Sequence, residues 1–322
     1  MYYRMRILTA ATMKGAINYH RLISPHIMLK AAYPDTEILT TVSQSSILNT
    51  DLNKIDMIIF TRFIAFKEIE RITDWLRKKA HVKLVLDIDD YWKLDDHHIL
   101  SHLYNKDFEE QTIKTFRCVD HIITTNKRLA KMIKPYNKRV TVIPNIINTD
   151  EMQWKPSPKR KGKVKISFFG GETHFEDLKF SKVDYSKLNA VAYVEKYKEL
   201  GFQIEPPKDE WTYGTLFDDT DISIAPLLPT KFNSCKSNLK VVEAGVKGKL
   251  ICTTKTPPYL DFESENIIYF EPNEDWTDKL ALLSKDRATV EQISKRLQEE
   301  VLDHYNPHRW TKFRMDLYKS IL

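Results

Sequence analysis

Phe232-Asn233-Ser234-Cys235-Lys236-Ser237-Asn238-Leu239-Lys240-Val241-Val242-Glu243 is the stretch on which the reading of this chain turns. A strand-like run over 221–227 precedes it, and it leads into a short amphipathic helix closed by Gly248, so its polar groups gather at a helix N-terminus. The first amides of a helix lack partners within it and the dipole is positive there, which attracts phosphate. Lys236 and Lys240, four apart, are expected on one helix face, and Glu243 follows three residues later as an acceptor for vicinal hydroxyls. Two cations, open amides and one carboxylate suit a nucleoside diphosphate with its ribose. The competing reading is a surface helix with an ordinary Lys/Glu pair.

Outward from this stretch, short β-rich runs alternate with helical patterns. The expected strands cover 6–10, 37–42, 57–61, 83–87, 121–124 and 140–143 in the first half, then 165–169, 221–225, 250–253 and 267–270, with a weak one at 202–204. Many are nearly continuous in apolar residues, as strands buried on both faces are, so two parallel sheets with helices on both sides are expected. Helices are expected over 66–79, with Ile69, Ile72 and Leu76 on one side, and over 127–133. A chain of 322 residues has room for two cores. The α/β organisation is read as a first domain over 1–148, a Pro- and Lys-rich linker over 149–163, a second domain over 164–300, and a C-terminal helical segment over 301–322 that crosses back to the first domain. Pro307 divides that terminal helical region.

Composition narrows the partners. Hydrophobic residues make up 42% of the chain, yet no apolar run reaches the roughly 20 residues of a membrane span. Arg4 and Arg6 precede a short strand-like run rather than the long apolar stretch of a signal peptide. The three cysteines, Cys118, Cys235 and Cys252, are too few and too dispersed for a disulfide framework or a zinc site, so a reducing cytoplasm is the expected location. The net charge of +6 favours polyanionic ligands but is small for a dedicated nucleic-acid binder. The basic clusters at 77–79 and 159–165 read as solvated faces or linker.

Two Rossmann-like halves, Val142-Ile143-Pro144-Asn145 closing the first, and a helix start ending in Glu243 resemble the GT-B glycosyltransferases. The likeness is to the large retaining group 1, or family 4-like, enzymes, phage-encoded members among them. Phe168-Phe169-Gly170-Gly171-Glu172-Thr173-His174 with Asp177-Leu178 resembles the first strand-to-loop turn of their donor domain, and Asp221-Ile222 with Pro226-Leu227 the strand and turn before the donor helix. The resemblance spans most of the chain and is weakest over 179–211. It implies two Rossmann-like domains facing across a cleft and transfer of a sugar from a nucleoside-diphosphate sugar, a UDP-sugar first, to an acceptor hydroxyl. Glu243 would hold the ribose, and Ser237 with the amides of Asn238 and Leu239 would meet the diphosphate. Lys236 or Lys240 would stabilise the leaving group. Gly170, Gly171, Thr173 and His174 would form the donor loop; a Gly-Gly pair lets backbone approach phosphate oxygens closely, although it is also a common tight turn. The family pattern has two glutamates eight residues apart, the first contacting the donor sugar and the second holding the ribose; Glu243 stands at the second, and the first is Cys235 here.

In the first half, Ala10-Ala11-Thr12-Met13-Lys14-Gly15-Ala16 is a small-residue loop, followed by Asn18-Tyr19-His20-Arg21 at the next helix start. The resemblance assigns Gly15 and Arg21 to the face opposite the donor diphosphate; an ordinary βα loop fits as well. Asp87-Ile88-Asp89-Asp90 ends a buried strand, and three crowded carboxylates there would repel one another and raise a pKa, as a general base needs. Asp89 or Asp90 would serve an inverting enzyme and orient substrate in a retaining one. The neighbouring Asp95-Asp96-His97-His98 admits a divalent cation, but the two-domain pattern implies metal-independent chemistry with no cofactor besides the donor. Thr124-Thr125-Asn126 reads equally as a site edge and as a helix cap. The acceptor is open between a glycan, a lipid-linked precursor and a hydroxymethylated base in DNA, and a non-catalytic nucleotide-sugar-binding protein is the remaining alternative.

Overall fold

The structure, a computed structural model, describes residues 4–10, 15–41, 51–61, 69–95, 98–272 and 274–322. The chain divides into two compact units: Met1–Asn148 with Cys235–Ser237 and Pro307–Leu322, and Thr149–Ser234 with Asn238–Asn306.

The first unit is built on β1 (Arg6–Ala10), β2 (Glu37–Thr41), β3 (Met57–Thr61), β4 (Lys83–Ile88), β5 (His121–Thr124) and β6 (Val140–Val142). They run parallel in the order β2-β1-β3-β4-β5-β6, with Ile7 of β1 opposite Ile38 on one side and Met57 on the other. Every position of β3 is buried, as its apolar run of Met, Ile, Ile and Phe requires. On one face Ile7, Met57, Ile59, Val85 and Ile123 pack with Leu22, Leu29 and the terminal helix Pro307–Ile321, which contributes Met315 and Tyr318. The helix expected over 66–79 runs Ile69–Ala80, and residues 66–68 lie outside the described set.

Polar groups inside this unit form one connected network. Arg21 donates to both oxygens of Asp87, Nε to Oδ1 at 2.7 Å and Nη2 to Oδ2 at 3.1 Å, while its Nη1 donates to Ile143 O at 3.0 Å and Asn145 Oδ1 at 3.1 Å. Arg314 lies 3.8 Å from Asp87 and donates to Tyr318 Oη at 3.1 Å. Tyr318 donates in turn to His26 Nε2 at 3.1 Å, and His26 Nδ1 donates to Leu22 O at 2.5 Å. Burial, then Arg314, lowers the His26 pKa to about 3, so the imidazole is neutral.

The second unit carries β7 (Ile166–Phe168), β8 (Ala190–Ala192), β9 (Gln203–Ile204), β10 (Ile222–Ala225), β11 (Leu250–Thr254) and β12 (Ile268–Phe270), parallel in the order β12-β11-β10-β7-β8-β9. β8 was not anticipated. Its core gathers Ile166, Phe168, Ala190, Ala192, Ile222, Ile224, Leu250 and Cys252 with Trp276 and Leu280. The helix Leu239–Val246 ends in a Schellman turn, with Gly248 N bonded to Gly245 O at 2.9 Å and Lys249 N to Ala244 O at 2.9 Å, and Gly248 takes φ +63°, which a glycine adopts without strain. Helix Arg287–His304 lies against it so closely that a Cβ on Gly245 would sit 2.5 Å from Val301 Cγ2. The long terminal helical region is broken at Pro307 as expected, into Arg287–His304 and Pro307–Ile321. Among the described residues no helix is long and apolar enough to cross a membrane.

Candidate functional site

In the second sheet the chain moves outward from β7 through β8 to β9, then returns to place β10 on the other side of β7. Open α/β sheets bind ligands at the carboxyl ends of the strands where the order reverses in this way. Both segments singled out in the sequence leave from that reversal: Phe169 to His174 follow β7, and the path to Glu243 follows β10.

After β7, Gly170 and Gly171 differ in role. A Cβ on Gly170 would meet Phe168 Cζ at 2.5 Å and His174 Cδ2 at 3.2 Å, so this glycine lets the loop fold onto its own aromatic rings. A Cβ on Gly171 would meet nothing within 4 Å, and its φ of −74° is open to any residue. Thr173 and His174, both half-buried, sit in the turn Glu172–His174. His174 Nδ1 pairs with Asp177 Oδ2 at 2.7 Å. Asp177 Oδ1 accepts from Leu228 N at 2.7 Å and Asn233 Nδ2 at 2.8 Å, which ties the loop after β7 to the segment after β10.

The helix on which Glu243 lies is shorter than the sequence suggested. It begins at Leu239, so Lys236 precedes it and shares no helix face with Lys240. The carbonyls of Cys235 and Lys236 accept from Asn126 Nδ2, at 2.7 and 3.2 Å, instead of entering a helical ladder. The stretch Cys235–Ser237 accordingly groups with the first unit, where Ser237 Oγ accepts from Asn145 Nδ2 at 2.8 Å. Asn126 also caps helix Lys127–Ile133 by accepting from Leu129 N at 2.9 Å, so it is a cap and a tether together. Asn238 caps the Glu243 helix without a side-chain hydrogen bond, and its amide nitrogen donates to Tyr305 Oη at 2.6 Å. Leu239 and Lys240 at that helix start are half-exposed.

Glu243 is 1% exposed. Its Oε2 accepts from Lys240 Nζ at 2.9 Å and from Tyr213 Oη at 3.2 Å, while Lys240 also donates to Tyr213 Oη at 2.8 Å. The Tyr213 hydroxyl is held well above its ordinary pKa by burial and then by Glu243, so it remains a donor. Sequence reasoning did not find Tyr213. It lies in the segment Tyr213–Asp219, thirty positions from Glu243 and outside any motif.

The remaining expected site residues belong to the first unit. Gly15, at φ +126°, starts the turn into Ala16–Asn18, in a conformation only glycine takes readily; Ala11 to Lys14 of the expected loop lie outside the described residues. Arg21 is 1% exposed and its guanidinium is committed to Asp87, Ile143 and Asn145, which makes it part of the interior network. The crowding expected of three carboxylates is relieved at the first, since Asp87 faces inward against Arg21. Asp89 and Asp90 follow it half-buried, with Asp89 O accepting from Thr125 Oγ1 at 3.3 Å; Asp96 and His97 lie outside the described residues. Among the described residues no three His, Cys, Asp or Glu side chains are grouped to hold a metal ion.

No protein-family model matches the chain, and no curated protein sequence does. Solved structures do. HepE of Anabaena in complex with UDP superposes with a TM-score of 0.68 at 11% identity, over 99% of this chain and 100% of that one. Sucrose-phosphate synthase from Thermosynechococcus elongatus gives 0.73 at 10% identity over 99% of both chains, and a glycosyltransferase from Rickettsia africae 0.61 at 12% over 99% of both. At these identities the likeness establishes the fold: two α/β units, each with a six-stranded parallel sheet, of the GT-B type.

Proposed function

We propose that the protein is a glycosyltransferase that moves a sugar from a nucleoside-diphosphate sugar, with uridine as the favoured base, to an acceptor hydroxyl. The observation that carries this reading is that the Gly171 loop and the segment leading to the Glu243 helix leave from the two strands flanking one strand-order reversal and are tied there by Asp177. Free-standing phosphates favour such a helix start, and a buried carboxylate four residues inside it suits a diol. HepE, one of the structures similar to this chain, has also been solved with UDP-glucose, at a TM-score of 0.68 and 13% identity.

In this reading the second unit binds the donor and the first the acceptor. Cleavage of the glycosyl–phosphate bond builds negative charge on the departing diphosphate, and fixed positive charge there lowers the barrier. Lys236 or Lys240 supplies that charge in this reading, and separate alanine variants of the two identify which: the one facing the leaving phosphate loses turnover more than binding. Thr173 and His174, with the amides of Asn238 and Leu239, are assigned to the diphosphate within the second unit. Asp89 or Asp90 accepts the acceptor proton if the reaction inverts. Amide variants of each separate the courses: a base shows a rate loss of about 10²- to 10⁴-fold, and near-normal rates in both variants mark a retaining enzyme. The acceptor is a glycan, a lipid-linked precursor or modified DNA, and steeply salt-dependent binding to duplex DNA would single out the last.

A second reading, a nucleotide-sugar-binding protein without turnover, is favoured by Cys235, a residue only 3% exposed where the resembling enzymes carry a glutamate. A panel of sugar nucleotides tests both. A donor at about 100 times its dissociation constant adds roughly 2.7 kcal/mol to stability. No stabilisation by any donor ends both readings, and stabilisation without product on any acceptor supports the second.

A further inference from the structure

Glu243 is not held by its helix alone. Tyr213 reaches it from a separate segment that is itself pinned: Gly214 N donates to Gln153 Oε1 at 2.9 Å, and Lys247, one turn beyond Glu243, donates to Gln153 O at 2.9 Å. A Cβ at position 214 would stand 2.6 Å from Gln153 O, so only glycine allows this approach. The Tyr213 ring packs among Trp154, Phe169 and Phe217, with centroids 6.0–6.2 Å away. Phe169 immediately precedes Gly170, so the same ring touches the wall of the donor loop.

Resting on the donor reading above, we propose that Tyr213 is a positioning and specificity residue: with Lys240 it fixes the plane of the Glu243 carboxylate so that the site selects nucleoside diphosphates bearing an intact ribose diol. Three polar atoms lie within 3.2 Å of one another, and two of them donate to the same carboxylate oxygen. Such a closed arrangement removes rotation about the last torsion of Glu243, and an acceptor fixed before binding discriminates better than one ordered by the ligand. The tyrosine supplies this without charge. Its hydroxyl cannot draw a phosphate as a second cation would, so its effect falls on the diol.

Calorimetry with UDP, GDP and ADP and their 2′-deoxy forms, on the native chain and on Tyr213→Phe, tests this. The native chain is expected to prefer the ribose form of its nucleotide by about tenfold or more, as sites that hydrogen-bond a hydroxyl do. Tyr213→Phe keeps the ring and its packing; it should bring that preference to within about threefold while leaving deoxynucleotide affinity nearly unchanged. Equal losses for ribose and deoxy forms, with the preference retained, overturn the positioning role and leave the donor reading standing. If none of the six nucleotides binds the native chain, the donor reading fails and this inference with it. Should Tyr213→Phe not fold, Lys240→Met removes the other donor to the same oxygen and must narrow the preference too; an unchanged preference there overturns the proposal.

Discussion

Asp87 in the first unit and Glu243 in the second are both buried carboxylates beside a cation, with side-chain exposures of 0% and 1%, yet their cations differ. The Arg21 side chain is 1% exposed and that of Lys240 27% exposed. The first pair is sealed on both sides and has a second guanidinium, Arg314, 3.8 Å away. The second is sealed on the acid only. In a sealed pair neither charge can return to water, so removing one partner leaves the other buried and uncompensated, whereas an accessible cation left without its acid can turn to solvent. Both sheets reverse strand order, but only in the second does the buried acid lie on a helix that follows a strand at the reversal.

Removing the acid of the sealed pair is the strongest test of this contrast. Asp87→Asn leaves Arg21 and Arg314 buried without a carboxylate, and breaking a buried pair costs about 3–5 kcal/mol. A urea midpoint that barely moves would mean that the interior network is dispensable.

Glu243→Gln, in contrast, should leave the fold nearly intact, because Lys240 can turn to solvent. Its effect should appear in nucleotide affinity, by about 1.5–3 kcal/mol for a charged hydrogen bond lost. Donor affinity unchanged by calorimetry would remove the ribose role; a large loss of stability would erase the difference between the two pairs.

Acid titration probes the sealed network from its other end. His26 has a folded pKa of about 3 against 6.5 when unfolded, through burial first and Arg314 second. The folded state therefore binds fewer protons between those values. Its contribution to stability is complete above pH 6.5 and is lost as pH falls towards 3, at no more than about 1.4 kcal/mol per pH unit, or roughly 2 kcal/mol by pH 5. Arg314, Tyr318 and Leu22 O face the imidazole, with Arg21 and Asp87 behind them. His26→Gln should flatten the stability profile across this window, and an unaltered slope would assign the acid sensitivity to other groups.

The sheets were legible because buried parallel strands are apolar throughout. The runs at 57–61 and 121–124 coincide with β3 and β5, and Pro307 marked the break between the last two helices. β8 escaped because it is only Ala190-Val191-Ala192, too short and small to stand out from its flanks. The site was less legible for a different reason. Glu243 and Lys240 are three apart, so their pairing follows from helix geometry, but Arg21 meets Asp87 across 66 positions and Tyr213 meets Glu243 across 30. No local pattern encodes such partners. Lys236 was misplaced because Asn126, far away in sequence, takes the carbonyls that a longer helix would have used.

The smallest expected change in stability is also the cleanest separation of fold from function, and it lies in two adjacent glycines. Gly170→Ala must displace the Phe168 ring or the His174 imidazole, and overpacking of this kind costs about 1–3 kcal/mol. Gly171→Ala meets no atom within 4 Å and keeps an ordinary φ, so its effect on thermal unfolding should stay within about 0.5 kcal/mol. If the backbone at Gly171 lies against phosphate oxygens, the added methyl group occupies their space. Nucleotide affinity should then fall clearly in a protein that melts as before. A variant that binds UDP as tightly as the native chain would place the phosphates away from this loop and leave the start of the Glu243 helix as their sole anchor.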